Sequence, residues 1–168
     1  LYSPINNEAV SKIKTMVSEL KANVDFVILS THWGRNWDEI PPDDFRNFAH
    51  ALIDAGVDVW HGHSGHIIQG IEFYKGKPIF YCLGDLIDDY QVEKSRNDLA
   101  YIATIKIKGK EIDGIKIIPT AIKNFRASVA RQHDWEWVIT KLNQNSKTYG
   151  TTIQREGNVL IPAQSTKN

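Results

Sequence analysis

The stretch Val57-Asp-Val-Trp-His-Gly-His-Ser-Gly-His66 decides how this chain is read. Val57-Asp-Val-Trp60 reads as a strand. Three histidines follow within six residues, with Gly62 and Gly65 between them, and are expected on a tight loop where the backbone turns sharply. Just upstream, Pro42-Asp43-Asp44 is a helix start, with acids where the helix dipole favours them. Phe45, Phe48, Ala49, Leu52 and Ile53 then fall on one helical face, and Gly56 stops the helix. His50 lies off that stripe and reads as a surface residue.

Further upstream the pattern repeats. Residues 7–21 predict a helix capped by Asn6 or Asn7, with Ala9, Ile13, Met16, Val17 and Leu20 as its core-facing stripe. Asp25-Phe-Val-Ile-Leu-Ser30 predicts another strand, a buried one, ending in Thr31-His32-Trp33-Gly34. Downstream, Ile71–Tyr74 and Pro78–Cys82 flank Lys75-Gly76-Lys77 as a hairpin, and the second arm ends in Leu83-Gly84-Asp85. Residues 101–107 and 111–118 predict another hairpin around Gly109-Lys110. Trp135, Val138, Ile139 and Leu142 predict a last helix near residues 133–145, with Trp135 and Trp137 as core or hairpin cover. The expectation is a mixed α/β fold over residues 1–150, followed by a loosely held polar tail over residues 151–168.

Composition narrows the function. The 168 residues carry 20 Lys+Arg against 20 Asp+Glu, so general attraction to nucleic acid or to an anionic membrane is excluded. No apolar run approaches the about 20 residues that a membrane span needs. Cys82 stands alone, so an internal disulfide and a thiolate zinc site are excluded, and its place in a strand makes it buried and inert. Neither a nucleophile elbow nor a glycine-rich phosphate loop occurs. The chain opens on Leu1 without a secretion signal and is expected to be processed or part of something longer.

Three strand ends converge. The first delivers His32, the second His61, His63 and His66, and the third Asp85. In open α/β sheets ligands bind beyond the carboxyl ends of strands, and imidazole is the commonest metal-binding side chain. His61, His63 and His66, within six residues after a strand, and His32 at another strand end are therefore candidate metal ligands, with Asp85 orienting one of them through its other ring nitrogen. Asp88 and Asp89 read as turn caps. Arg35, Trp33 and Trp37 lie on the loop beside His32, where Arg35 can contact a phosphate or carboxylate and Trp33 can cover a substrate or pack.

Taken together, Asp25–Gly34, Ala51–Asp58, Gly62–His66 with Ile68-Gln-Gly-Ile-Glu72, and Tyr74–Asp85 occur in an order that resembles the C-terminal half of the CapA-type proteins of poly-gamma-glutamate capsule synthesis, in the calcineurin-like metallophosphoesterase superfamily. The likeness extends over about residues 7–120. It implies the C-terminal portion of a four-layer α/β/β/α metallophosphoesterase-like sandwich with mixed sheets, and two divalent metal ions (Mn, Zn or Fe) at the strand ends. By position it implies that His32 and His63 bind one ion and His66 the other, with His61 beside them. It further implies a phosphoester or acidic polymer substrate and a cell-surface or extracytoplasmic setting. An N-terminal segment or chain would complete the domain and bring the bridging carboxylate and general acid. The chain departs from the family pattern at Ser64-Gly65, where His-Pro is usual, and at Asp85, where Asn is usual. Those departures favour an alternative, a non-catalytic polymer-binding or assembly component of the same system.

Overall fold

The computed structural model describes residues 5–164; the last four residues of the expected polar tail and the first four of the chain lie outside them. Helix α1 (Asn7–Lys21) starts where the Asn6 side chain accepts a hydrogen bond from the Ala9 N–H. Strand β1 (Ile28–His32) leads into helix α2 (Asp43–Asp54), and strand β2 (Val59–His63) follows. Strands β3 (Ile71–Tyr74) and β4 (Lys77–Phe80) form the expected hairpin. These four strands make one sheet in the order β1-β2-β4-β3, with β1, β2 and β4 parallel.

The second sheet is antiparallel. Strand β5 (Leu99–Lys108) pairs along its whole length with β6 (Glu111–Lys123), with an irregularity at Lys106/Ile107, and a short strand β7 (Arg126–Val129) folds back on β6. Helix α3 (Gln132–Ser146) precedes a hairpin of β8 (Thr151–Glu156) and β9 (Val159–Gln164), and β9 pairs with β6 at Leu160. The residues after Thr151 are therefore not a loose tail. Ile153 and Leu160 are buried on one face, Gly157 takes the left-handed turn conformation, and the polar residues that dominated the reading cover the other face.

Two cores hold these layers together. Phe48, Ala49, Leu52 and Ile53 of α2 pack with Val17 of α1 against Trp33, Trp60, Ile79 and Tyr81 of the first sheet. Val59, Ile71 and Phe80 on its other face meet Leu99, Tyr101, Ile115 and Ile117 of the second sheet, closed by Trp135, Val138 and Leu142 of α3. The result is a partial α/β sandwich of mixed and antiparallel sheets. Among the described residues no helix is long and apolar enough to cross a membrane.

Three expectations change. β1 is not a buried strand: it has β2 on one side only, and Ile28 is 60% exposed because nothing among the described residues covers the sheet edge there. The α1 stripe is core only in part, since Val17 is buried while Met16 and Leu20 are 59% and 49% exposed. His50 is not a plain surface residue. It is partly buried, stacks on Tyr74 and lies 3.0 Å from the Glu72 carboxylate. Glu72 also accepts three hydrogen bonds from the Arg46 guanidinium, shared between Oε1 and Oε2, and one from the Tyr81 hydroxyl, which joins α2 to the first sheet through a buried charge.

Candidate functional site

Parallel pairing places His32 directly beside His63 at the carboxyl end of the first sheet. Their ring centroids are 5.2 Å apart with planes at 80°, and the His61 ring lies 5.5 Å from that of His63. His61 and His63 sit within β2 itself rather than on a loop. Gly62 separates them for a packing reason, because a Cβ there would lie 2.2 Å from the Tyr81 carbonyl oxygen and 2.3 Å from the Trp33 indole nitrogen. The turn comes one residue later, where Ser64 and His66 both adopt left-handed backbone with φ of 93° and 61°. Each costs about 1–2 kcal/mol for a residue with a side chain.

Hydrogen bonds hold that turn. The Trp33 N–H donates to the His63 carbonyl, the Trp37 N–H to the Gly65 carbonyl, and the Gln69 N–H to the Cys82 carbonyl. A bridge between Ile68 and Leu83 completes the join. It brings the loop carrying His66 against the segment carrying Asp85, and His66 Nδ1 meets Asp85 Oδ2 at 2.8 Å. Trp37 stacks on one face of the His66 ring with centroids 5.3 Å apart, and Tyr90 approaches it edge-on at 5.2 Å.

The charge state suits metal ligation. Burial lowers the His61 pKa, and burial together with the charges of His61 and His32 lowers that of His63, so both favour the neutral imidazole that binds cations. Ser30 Oγ lies 2.9 Å from His61 Nδ1 and fixes that ring. Among the described residues, His66, Asp85 and Asp88 form a group whose ligand atoms all lie within 4.8 Å of one another. One Asp88 oxygen accepts from the Tyr90 N–H, as a turn cap does, and burial together with the neighbouring Asp85 carboxyl pushes the Asp88 pKa up. Imidazole and carboxylate donors are of the chemistry that suits a first-row divalent cation.

Two cavities open beside these groups. One of about 450 Å³ is lined by His61, His63 and Asp85 together with Ile28, Phe80 and Tyr101. The other, of about 550 Å³, is lined by His32, Ser64, His66 and Tyr90 and by apolar residues of α1 and α2. The expected residues divide between them. Trp33 is buried, and its indole donates to the Tyr81 carbonyl, so it serves the core more than a substrate, though one edge reaches the larger cavity. Arg35 is exposed and is not among the lining residues of either cavity. Cys82 is buried, and burial raises its thiol pKa. The inward turn of Asp88 and the stacking of Trp37 on His66 were not read from the sequence. An Asp three residues beyond Asp85 was the only signal for the first.

Comparison with known proteins adds the family. The model of the bacterial capsule synthesis protein PGA_cap matches residues 2–90. A probable polyglutamine synthesis accessory protein of Mycobacterium tuberculosis is 33% identical across 97% of this chain and 45% of its own length. The PGA biosynthesis protein CapA of Bacillus subtilis is 40% identical over 49% of this chain and 22% of its own. The capsule biosynthesis protein CapA of Bacillus anthracis is 31% identical over 61% and 25%. The chain thus spans a little under half the length of its mycobacterial relative. It belongs to the PGA_cap family of bacterial capsule synthesis proteins.

Proposed function

We propose that this chain supplies the C-terminal part of a divalent-metal-dependent phosphoesterase-type hydrolase acting in poly-gamma-glutamate or capsule biosynthesis. The observation that carries the reading is that His32 stands beside His63 at the carboxyl ends of the parallel strands β1 and β2, with the His66–Asp85 pair on the turn that follows β2. The chemistry a divalent ion supplies at such a place is polarisation of a phosphoryl oxygen and a nucleophile available at neutral pH. The protein's own share is positional. His32 and His63 present imidazole nitrogens from adjacent strands, Asp85 sets the orientation of His66, and Trp37 shields one face of that ring. The cavity beside His32 and His66 has room for a substrate group next to the ligands.

The same reading includes a further length of chain that completes the sandwich. β1 and β5 each end their sheet, and the smaller cavity opens between them, lined by Ile28 from one and Ile102 and Ile105 from the other. Strand addition at those edges would cover Ile28 and Ile102, both exposed here.

The test is turnover of a simple phosphodiester by the full-length protein with Mn²⁺ or Zn²⁺. Metal-dependent hydrolysis is expected, with His63→Ala slower by about 100-fold or more, beyond the usual effect of disturbing a ligand's support. A metal-loaded protein that turns over no phosphoester points instead to the non-catalytic assembly role.

A further inference from the structure

We propose that the larger cavity, beside His32 and His66, is a specificity pocket for an uncharged hydrocarbon arm of the substrate, so that the phosphoester turned over carries an apolar group there and not the polyglutamate chain itself. The proposal deepens the phosphoester reading above and rests on it.

The wall of this cavity changes character with the element that supplies it. The strand-end segments give polar groups, His32, Ser64 and His66. The helices give hydrocarbon, Ile13 from α1 and Phe45 and Phe48 from α2. Packing is the cause. Both helices turn their apolar stripes toward the first sheet, whereas β1 and β2 end at the rim of that layer and leave their last side chains there. A phosphoryl group held at the imidazoles therefore has its ester arm against hydrocarbon. Ile13 and Phe45 are only half-buried, so an apolar arm seated on them takes further hydrocarbon out of water. The volume, about 550 Å³, is that of a small-molecule pocket.

Charge points the same way. Among the described residues that line the cavity, none is Lys, Arg, Asp or Glu. Elsewhere the chain meets its own shielded carboxylates with cations: Asp58 with Lys21 and Lys77, Glu72 with Arg46, and Asp134 with Arg96 and Lys123. A polyglutamate segment brings a carboxylate with every residue, and seating it here would shield those charges with no cation to meet them. Arg35, the cation nearest to His32 in the sequence, is exposed and stands outside the lining. A hydrocarbon arm carries no such cost.

The experiment uses the full-length protein with Mn²⁺ and a series of methyl phosphodiesters whose second group is methyl, butyl, hexyl or carboxypentyl. The expected kcat/KM rises by about fourfold for each methylene the pocket buries, and the carboxypentyl ester falls at least about tenfold below the hexyl ester. Ile13→Lys, which sets a cation in the wall, should move the preference toward the carboxypentyl ester. That preference is a ratio of two substrates on the same molecules, so it does not change with the fraction that folds. Calorimetry of butylphosphonate and hexylphosphonate reads the pocket without turnover, and hexylphosphonate should bind more tightly, with a negative heat-capacity change. Esters turned over without regard to chain length, or with the carboxypentyl arm favoured by wild type, overturn this proposal and leave the hydrolase reading standing. If no ester is turned over, the hydrolase reading falls and the phosphonates decide: tighter binding of the longer chain keeps the pocket, and equal binding overturns it.

Discussion

His32 and His63 occupy opposing positions on the parallel pair β1 and β2, with their rings 5.2 Å apart and nearly perpendicular. Register alone produces this juxtaposition. Starting from Ile28 opposite Val59, each strand runs four further residues and ends on a histidine. A shift of one residue would turn one of the two side chains to the opposite face of the sheet. The pair is therefore as secure as the packing of β1 on β2, and that security makes the site open to mutational tests.

Gly62→Ala is expected to disrupt the site from within the strand. The added methyl would meet the Tyr81 carbonyl at 2.2 Å, and that backbone belongs to the neighbouring segment of the sheet. A loss of about 3 kcal/mol is expected, at the upper end for overpacking. Urea unfolding measures it, and a midpoint equal to wild type would contradict the packing role.

Glu72→Gln should destabilise the fold by about 3 kcal/mol. Burial pushes the Glu72 pKa up, yet hydrogen bonds from Arg46 and Tyr81 and the charge of His50 hold it below the usual glutamate value, so it is ionised in the fold. The neutral amide leaves Arg46 without its counter-charge and turns an acceptor toward or away from Tyr81. His50→Ala should cost less, because Arg46 remains. A chemical denaturation series on the two variants separates them.

The metal-free protein should lose stability as pH falls below neutrality. His61 and His63 have folded pKa values below the usual 6.5, His61 through burial and His63 through burial and the charges of His61 and His32. Between 6.5 and the folded values the unfolded chain binds more protons than the folded one, so stability falls with pH through that window and levels off below it. Thermal melts from pH 8 to pH 5 should show a shallower decline in a His61→Gln/His63→Gln variant. Parallel slopes would count against the assignment.

The exposed edge of β1 predicts a difference between this 168-residue chain and a longer form of the protein. Amide hydrogens of residues 28–32 on the open side should exchange rapidly here and slowly when a strand is added. Hydrogen-exchange mass spectrometry on both forms reads this. Equal protection would mean that nothing pairs with β1.

Much of the arrangement was legible from residue order. The α2 stripe, both hairpins and the three strand-end clusters follow from local periodicity and from glycine and proline placement, which act within a few residues. The β8–β9 hairpin escaped because its polar outer residues outnumber the buried Ile153 and Leu160, whose value comes only from α3 and the second sheet. His50 escaped likewise: its partner Glu72 is 22 residues away and meets it only when α2 lies on the sheet.

Sequence by itself determined which chemical groups stand at the ends of the strands, because alternation and helix stops locate those ends without reference to distant contacts. Tertiary structure alone decided which groups meet. Parallel register joined His32 to His63, while the left-handed turn at Ser64 and His66, bridged at Ile68 and Leu83, carried His66 to Asp85 and turned Asp88 inward. Contacts of that kind depend on the packing of segments about 20 to 30 residues apart, where loop closure and side-chain fit, not local preference, set the geometry.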